Sequence, residues 1–160
     1  MKTLIAYATK YGCTEKIARR IAEEMNEEVE LLDLKKTSSV NLADFDTVII
    51  GGSVYIGRIQ KAVTQFSNKH LEELKNKRLG LFICGMAEGE GMETELKSSF
   101  PAELLERAAA KEFLGGEFLV DSMNFFDKLM VKNAAKVTSN KSNIHEDKII
   151  KFAQTMKHTE

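Results

Sequence analysis

Hydrophobic residues fall along this chain in two rhythms. Three stretches, Thr3–Ala8, Thr47–Gly51 and Leu79–Cys84, are apolar almost throughout, as strands buried on both faces of a parallel sheet are. Val29–Leu34 alternates with charge, which fits an edge strand. A helical period separates these runs. Over Cys13–Met25 the residues Ile17, Ala18, Ile21, Ala22 and Met25 share one face, while Glu15, Lys16, Arg19, Arg20, Glu23 and Glu24 fall mostly on the other. A second helix starts near Ile59, uses Ala62, Val63 and Phe66, and continues through Leu71 and Leu74 toward Asn76. A third begins near Glu93, is broken or restarted at Pro101, and resumes with Leu104, Leu105 and Ala108. A fifth strand is read over Glu112–Val120, where Gly115 and Gly116 mark a bulge or a close approach. Two helices close the pattern, Phe125–Val137 and Glu146–Met156, with the polar loop Thr138–Asn143 between them.

This alternation predicts an α/β fold, a parallel sheet with right-handed crossovers and helices on both faces. The link from the second strand to the third is short, so a helix there is expected to be vestigial. Ligands of such sheets bind beyond the strands' carboxyl ends. Three loops meet there: Thr9–Thr14, Gly52–Gly57 and Gly85–Gly91. At 160 residues and 43% hydrophobic, the chain fits one domain spanning 1–160.

The first of these loops carries the strongest chemical signal. Thr9-Lys10-Tyr11-Gly12-Cys13-Thr14 leaves a buried strand and opens directly into a helix. The first amides of a helix lack intrahelical partners and sit at the positive end of its dipole, which favours an anion. Thr9, Thr14 and Tyr11 add hydroxyls, and Gly12 permits positive φ and a close backbone approach. Neither G-x-x-x-x-G-K-[ST] nor G-x-G-x-x-G occurs, so a triphosphate cradle and the dinucleotide fingerprint are both unsupported. A T-x-x-G-x-T turn suits one terminal phosphomonoester. An ordinary threonine-capped β-α turn is the alternative.

The stretch Met1–Ala18 resembles the start of a flavodoxin. Val48-Ile-Ile-Gly-Gly-Ser-Val-Tyr-Ile-Gly-Arg58, with Phe126-Asp-Lys-Leu-Met-Val-Lys132, is most similar to the flavodoxin-like group that contains menaquinone-dependent protoporphyrinogen oxidase. The resemblance implies a flavodoxin-like three-layer sandwich with a five-stranded parallel sheet in order 2-1-3-4-5 and FMN at its switch point. It implies an FMN-binding redox protein that transfers electrons through the flavin. An FMN-dependent, quinone-linked oxidoreductase acting on protoporphyrinogen is the alternative. Cofactor contacts are then expected from Thr9, Lys10, Tyr11, Gly12, Cys13 and Thr14 at the phosphate. Ser53, Val54, Tyr55, Ile56 and Gly57 are expected beside the ring, and Cys84, Gly85, Met86 and Ala87 along its dimethylbenzene or pyrimidine side. Tyr55 is the first choice for stacking, since the chain has no Trp. Gly57 would let a neighbouring carbonyl turn toward the flavin N5. Arg58 and Lys61 would favour the reduced, anionic flavin. The quinone-linked members carry a long basic loop after the fourth strand, whereas here Glu88, Glu90, Glu93 and Glu95 make that region acidic, which disfavours a carboxylated substrate.

Charge and residue usage narrow the remaining classes. The net charge of −1 argues against nucleic acid and departs from strongly acidic flavodoxins. Redox partner proteins, a small-molecule reductant or a quinone are the expected partners. Lys128, Lys132 and Lys136 recur every four residues. They read chiefly as a solvated helix face, with docking to an acidic partner or an anionic membrane surface as the sharper alternative. No apolar run approaches ~20 residues, and the chain opens straight into a strand, so a cytoplasmic protein without an integral membrane segment is expected. Cys13 and Cys84 follow strands separated by a third, so they are expected to lie too far apart to bond, as free thiols in a reducing compartment. Cys13 reads chiefly as a small residue whose amide faces phosphate, with a redox role as the lesser alternative. His70, His145 and His158 are scattered and make neither a metal site nor a triad. A receiver domain is rejected, because Ala8-Thr9 and Gly52-Ser53 stand where its acidic residues would be needed.

Overall fold

The computed structural model describes residues 1–118 and 141–158. The parallel strands β1 (Thr3–Ala8), β2 (Val29–Asp33), β3 (Thr47–Tyr55), β5 (Arg78–Cys84) and β6 (Ala110–Phe113) form a sheet in the order β2-β1-β3-β5-β6. The short β4 (Arg58–Ile59) pairs antiparallel with β3. Counting the parallel strands alone, the order is the expected 2-1-3-4-5. The central strands are those with unbroken apolar runs. β1 is buried along its whole length, while edge strand β2 is only half-buried.

Helices cover both faces. On one side lie α1 (Cys13–Met25) and α6 (Glu146–Met156), whose Ile17, Ile21, Phe152 and Met156 pack on Ile5, Ile49 and Phe82. On the other lie α2 (Lys61–Lys69), α3 (Leu71–Leu74), α4 (Glu90–Ser99) and α5 (Ala102–Arg107). Val63, Phe66, Leu74 and Leu104 from these pack on Leu4, Val48, Ile50 and Leu81. Alternate residues of each central strand thus feed two separate apolar layers, as the period of two requires. Between β2 and β3 the chain makes one 3₁₀ turn, Leu42–Asp44, capped by Asn41 Oδ1 accepting from the Ala43 amide at 3.2 Å. This is the vestigial connection expected.

Pro101 acts where the sequence placed it. Phe100 is forced extended (φ −133°, ψ 155°), α4 stops at Ser99, and α5 starts at Ala102. Three boundaries differ. Gly52–Tyr55 is not loop but the continuation of β3: Gly52 and Ser53 still pair with β1 and β5, and Val54 and Tyr55 pair with β4, which folds back on them. The fifth parallel strand ends at Phe113 rather than running to Val120. After Leu114 the chain leaves the sheet, and β7 (Gly115–Phe118) pairs antiparallel with β8 (Lys141–Ile144). Of the expected polar loop Thr138–Asn143, residues 141–143 are strand, with Ser142 and Asn143 exposed, and 138–140 lie outside the described residues. The expected helix Phe125–Val137, with Lys128, Lys132 and Lys136, lies outside the described residues. Among the described residues no helix is long and apolar enough to cross a membrane.

Candidate functional site

At the carboxyl end of β1 the first loop is shaped by its own side chains. Gly12 takes φ +95°, a value L side chains rarely adopt, and α1 starts at the next residue. Thr9 Oγ1 accepts from the Gly12 amide at 2.8 Å and so holds the turn closed. Thr14, in the first turn of α1, is buried, and its Oγ1 has no hydrogen-bond partner. It does approach the Cys84 thiol closely enough to draw that thiol's pKa down in part. A buried hydroxyl left unpaired costs free energy, so one at an anion-favouring helix start fits an anionic ligand. Beneath the loop, buried Tyr7 donates its hydroxyl to Glu15 at 3.1 Å. Burial, reinforced by that carboxylate, pushes the phenol up to about 12.

The second loop is a hairpin tip. Tyr55 pairs with Arg58. Between them Ile56 and Gly57 have φ +49° and +74°, the two positive values that suit a tight two-residue hairpin turn. Gly57 takes this conformation freely. Ile56 does not, because a β-branched side chain crowds the backbone there, and it is also exposed. Gln60 clamps the hairpin from below. Its Oε1 accepts from the Ser53 amide at 2.9 Å, and its Nε2 donates to Ser53 Oγ. The Ser53 amide is thus engaged within the chain, and its hydroxyl oxygen accepts from Gln60 while keeping its own proton to donate. Tyr55 is half-buried, and the Lys10 ammonium lies 3.9 Å from its ring centroid, joining the first two loops.

The third loop leaves β5 at Cys84. Its Gly85 amide donates to the Gly115 carbonyl at 2.9 Å. A Cβ on Gly116 would stand 2.5 Å from the Gly85 carbonyl oxygen, so the glycine pair is the close approach read from the sequence. Behind Gly85 the Glu95 carboxyl turns inward. Its Oε2 is buried without a partner, and burial raises its pKa. Beside the first loop the Glu117 carboxylate, its side chain only 7% exposed, receives Lys16 Nζ at 2.7 Å and the Ser142 hydroxyl at 3.1 Å.

Cys13 and Cys84 are both free, as expected, and both buried, and they line the same cleft. Helix α1 packs over β3 and β5 as well as β1. Cys84 points to the same face and shares its apolar layer with Cys13.

These loops enclose a shallow cleft of about 400 Å³, counted out to its open mouth. Thr9, Lys10, Tyr11 and Cys13 line one wall, Ser53, Val54 and Tyr55 the second, and Cys84, Gly85 and Met86 the third. Five expected residues stand back from it. Gly12 shapes the first loop, Thr14 lies under it, Ile56 and Gly57 form the hairpin tip, and Ala87 packs toward the α4 side of the core. Sequence reasoning missed Gly116 and Glu117, which complete the lining. The Gly115-Gly116 doublet signalled a close approach, but only the fold shows that it is to the third loop. Arg58 and Lys61 are exposed beyond the hairpin and do not line the cleft.

A sequence model of the flavodoxin domain matches residues 4–145. The chain belongs to the flavodoxin domain family. Within that family it is similar to proteins named protoporphyrinogen IX dehydrogenase (quinone). One, from Leishmania major, is 27% identical over 146 residues, covering 86% of this chain and 63% of the relative. The chain therefore spans less than two thirds of that relative's length. Another, from Escherichia coli strain K12, is 21% identical over 173 aligned positions, covering 99% and 96%. Flavodoxin 1 from Bacillus cereus superposes with a TM-score of 0.60 at 17% identity, covering 98% of this chain and 97% of that one. This flavodoxin domain keeps the family's strand order.

Proposed function

We propose that the cleft binds FMN, with its phosphate on the first loop, and that the protein transfers electrons through that flavin. The observation that carries this reading is the first loop. It has a left-handed Gly12 immediately before α1 and a buried Thr14 hydroxyl without a partner. The position of the cleft supports it further, because it opens at the carboxyl ends of neighbouring β1 and β3, whose following helices α1 and α2 lie on opposite faces of the sheet.

When bound, FMN supplies a ring system able to accept one or two electrons. The rest is work for this chain. Thr14 Oγ1 and the amides at the start of α1 would hold the phosphate. Tyr55 offers an aromatic face, and the backbone of Cys84–Ala87 would meet the polar edge of the ring. Lys10 places a positive charge over Tyr55, where it would stabilise negative charge gained on reduction. Gln60 fixes the hairpin that carries Tyr55.

The relatives named protoporphyrinogen IX dehydrogenase (quinone) support a second reading, quinone-linked oxidation of a porphyrinogen. Against it stand Glu88, Glu90 and Glu93, exposed at the mouth of the third loop, which would repel a carboxylated substrate. Free buried thiols support a reducing, cytoplasmic setting. A redox partner protein or a quinone is the acceptor class either reading calls for.

The test is a visible spectrum after incubation with FMN and desalting, followed by stepwise reduction without oxygen. A retained flavin spectrum is expected. If none is retained, the first loop reverts to an ordinary capped turn. Quinone-dependent oxidation of protoporphyrinogen by the loaded protein would move the assignment to the second reading.

A further inference from the structure

We propose that the Tyr55–Arg58 hairpin and the groove beside it dock an acidic redox partner protein, whose carboxylates meet Arg58 and Lys61 and whose apolar centre seats Ile56. As a site for a redox partner it rests on the flavin reading, because it sets that partner against the second wall of the cleft.

The hairpin serves two hollows. Tyr55 lines the cleft. Gly57, Arg58 and Ile59 line a wider groove, bounded by Lys61 and Thr64 of α2 and by Ser98 and Ser99 of α4. This groove measures about 910 Å³ out to its open mouth, and no carboxylate is among the described residues that line it. The Ser98 and Ser99 hydroxyls donate to the Glu95 carbonyl, so the charge of the groove is that of Arg58 and Lys61. Other surface cations are matched, Lys16 by Glu117, Arg19 by Glu15 and Lys97 by Glu93. Arg58 and Lys61 are both exposed, and among the described residues neither has a carboxylate partner.

Ile56 is an independent observation. Among the described residues the exposed large apolar side chains are Met1 and Ile56, the latter 43% exposed. A lone exposed isoleucine is ordinary. This one stands at φ +49°, which a β-branched residue resists. The tip thus carries both strain and an apolar side chain in water, where glycine would carry neither. An observed outlier of this kind is a pointer to function. An apolar anchor flanked by two cations grips a surface that is acidic around an apolar centre. Gln60 clamps the hairpin, so the anchor is presented before the partner arrives.

The third loop fixes how the partner is turned. Glu88, Glu90 and Glu93 are exposed a few residues beyond Met86 of the cleft. They repel an acidic surface that spreads over the whole mouth and accept one whose carboxylates are confined to the hairpin side. A broad anionic lipid surface is the poorer match, because it confronts these three carboxylates as well.

The experiment measures association of the full-length protein, flavin-free and FMN-loaded, with two probes. One is oxidised plant-type ferredoxin, an acidic iron–sulfur protein, and the other is cytochrome c, a basic haem protein. Calorimetric titrations at about 0.01 M and about 0.1 M salt set the reach of exposed charges at about 30 Å and about 10 Å. Ferredoxin is expected to bind more tightly than cytochrome c, and about tenfold more tightly at the lower salt than at the higher. Arg58→Glu combined with Lys61→Glu should weaken ferredoxin binding at least about tenfold at the lower salt, with circular dichroism and FMN retention unchanged. Ile56→Ser should weaken it about fivefold at both salts. No ferredoxin binding, tighter cytochrome c binding, or an unchanged affinity in the double variant would overturn the proposal. Binding to phosphatidylserine vesicles that the double variant loses would overturn it in favour of a lipid surface. Ferredoxin binding by a protein that retains no FMN would uphold the surface and refute the flavin, and retained FMN without ferredoxin binding would do the reverse.

Discussion

The Lys10 ammonium lies 3.9 Å from the centroid of the Tyr55 ring and 5.6 Å from that of Tyr11. A residue of the first loop thus covers an aromatic residue of the second, and Lys10 itself lines the cleft. Arg58 and Lys61, nearer Tyr55 in sequence, lie outside the cleft. Lys10→Met should make the two-electron potential of the FMN-loaded protein more negative. A loss of about 1–2 kcal/mol of charge stabilisation corresponds to roughly 20–40 mV. Lys10→Arg should keep the potential near its original value. An anaerobic redox titration of both variants checks this, and an unchanged potential in Lys10→Met would remove Lys10 from the tuning.

Thr14 gives a prediction with two opposite signs. Its buried Oγ1 lacks a partner. Thr14→Val removes that unpaired group, so the flavin-free protein should become more stable by about 1 kcal/mol. The same change removes a phosphate donor, and FMN affinity should fall about tenfold. Urea unfolding without flavin and fluorescence titration with FMN read the two effects separately. A stability loss together with unchanged affinity would mean that Thr14 is only a packing residue.

Ile56 sits at φ +49° at an exposed hairpin tip. Replacing it with glycine should relieve about 1 kcal/mol of backbone crowding, partly offset by the entropy of a more flexible unfolded chain. Ile56→Asn should give most of the same gain, because asparagine tolerates this region. Gly57→Ala, at φ +74°, should destabilise by about 1 kcal/mol. In the loaded protein it should also shift the balance between one- and two-electron reduction. Thermal unfolding of all three variants and a redox titration of the last check these values.

Glu95 should make stability depend on pH in an unusual direction for a carboxylate. Burial raises its pKa in the folded chain. Between the ordinary Glu value and that raised value, the folded chain holds a proton that the unfolded chain has released. Stability therefore falls as pH rises through this window. Glu95→Gln should flatten that segment of the curve and leave the protein more stable near neutrality. Urea midpoints measured from about pH 4 to about pH 7 test it. An identical slope in both proteins would show that the carboxyl does not titrate as described.

The sequence by itself determined the layers, the strand order once the resemblance was drawn, and the identity of most cleft-lining residues. It could do so because those features are local or periodic. Apolar runs mark buried strands, the 3.6 period marks α1 and α6, and Thr9–Thr14 closes its turn with its own side chains. The tertiary structure decided what depends on distant segments meeting. The return of β4 extended β3 through Val54 and Tyr55 and put Ile56 at a strained tip. The departure of the chain at Leu114 brought Gly116 over Gly85 and Glu117 beside Lys16. The packing of α1 on the face of the sheet put Cys13 and Cys84 into one apolar layer and one cleft, although they follow strands that are not neighbours. Strand order gives distance within the plane of a sheet, and a helix packed on its face is not bound by that distance.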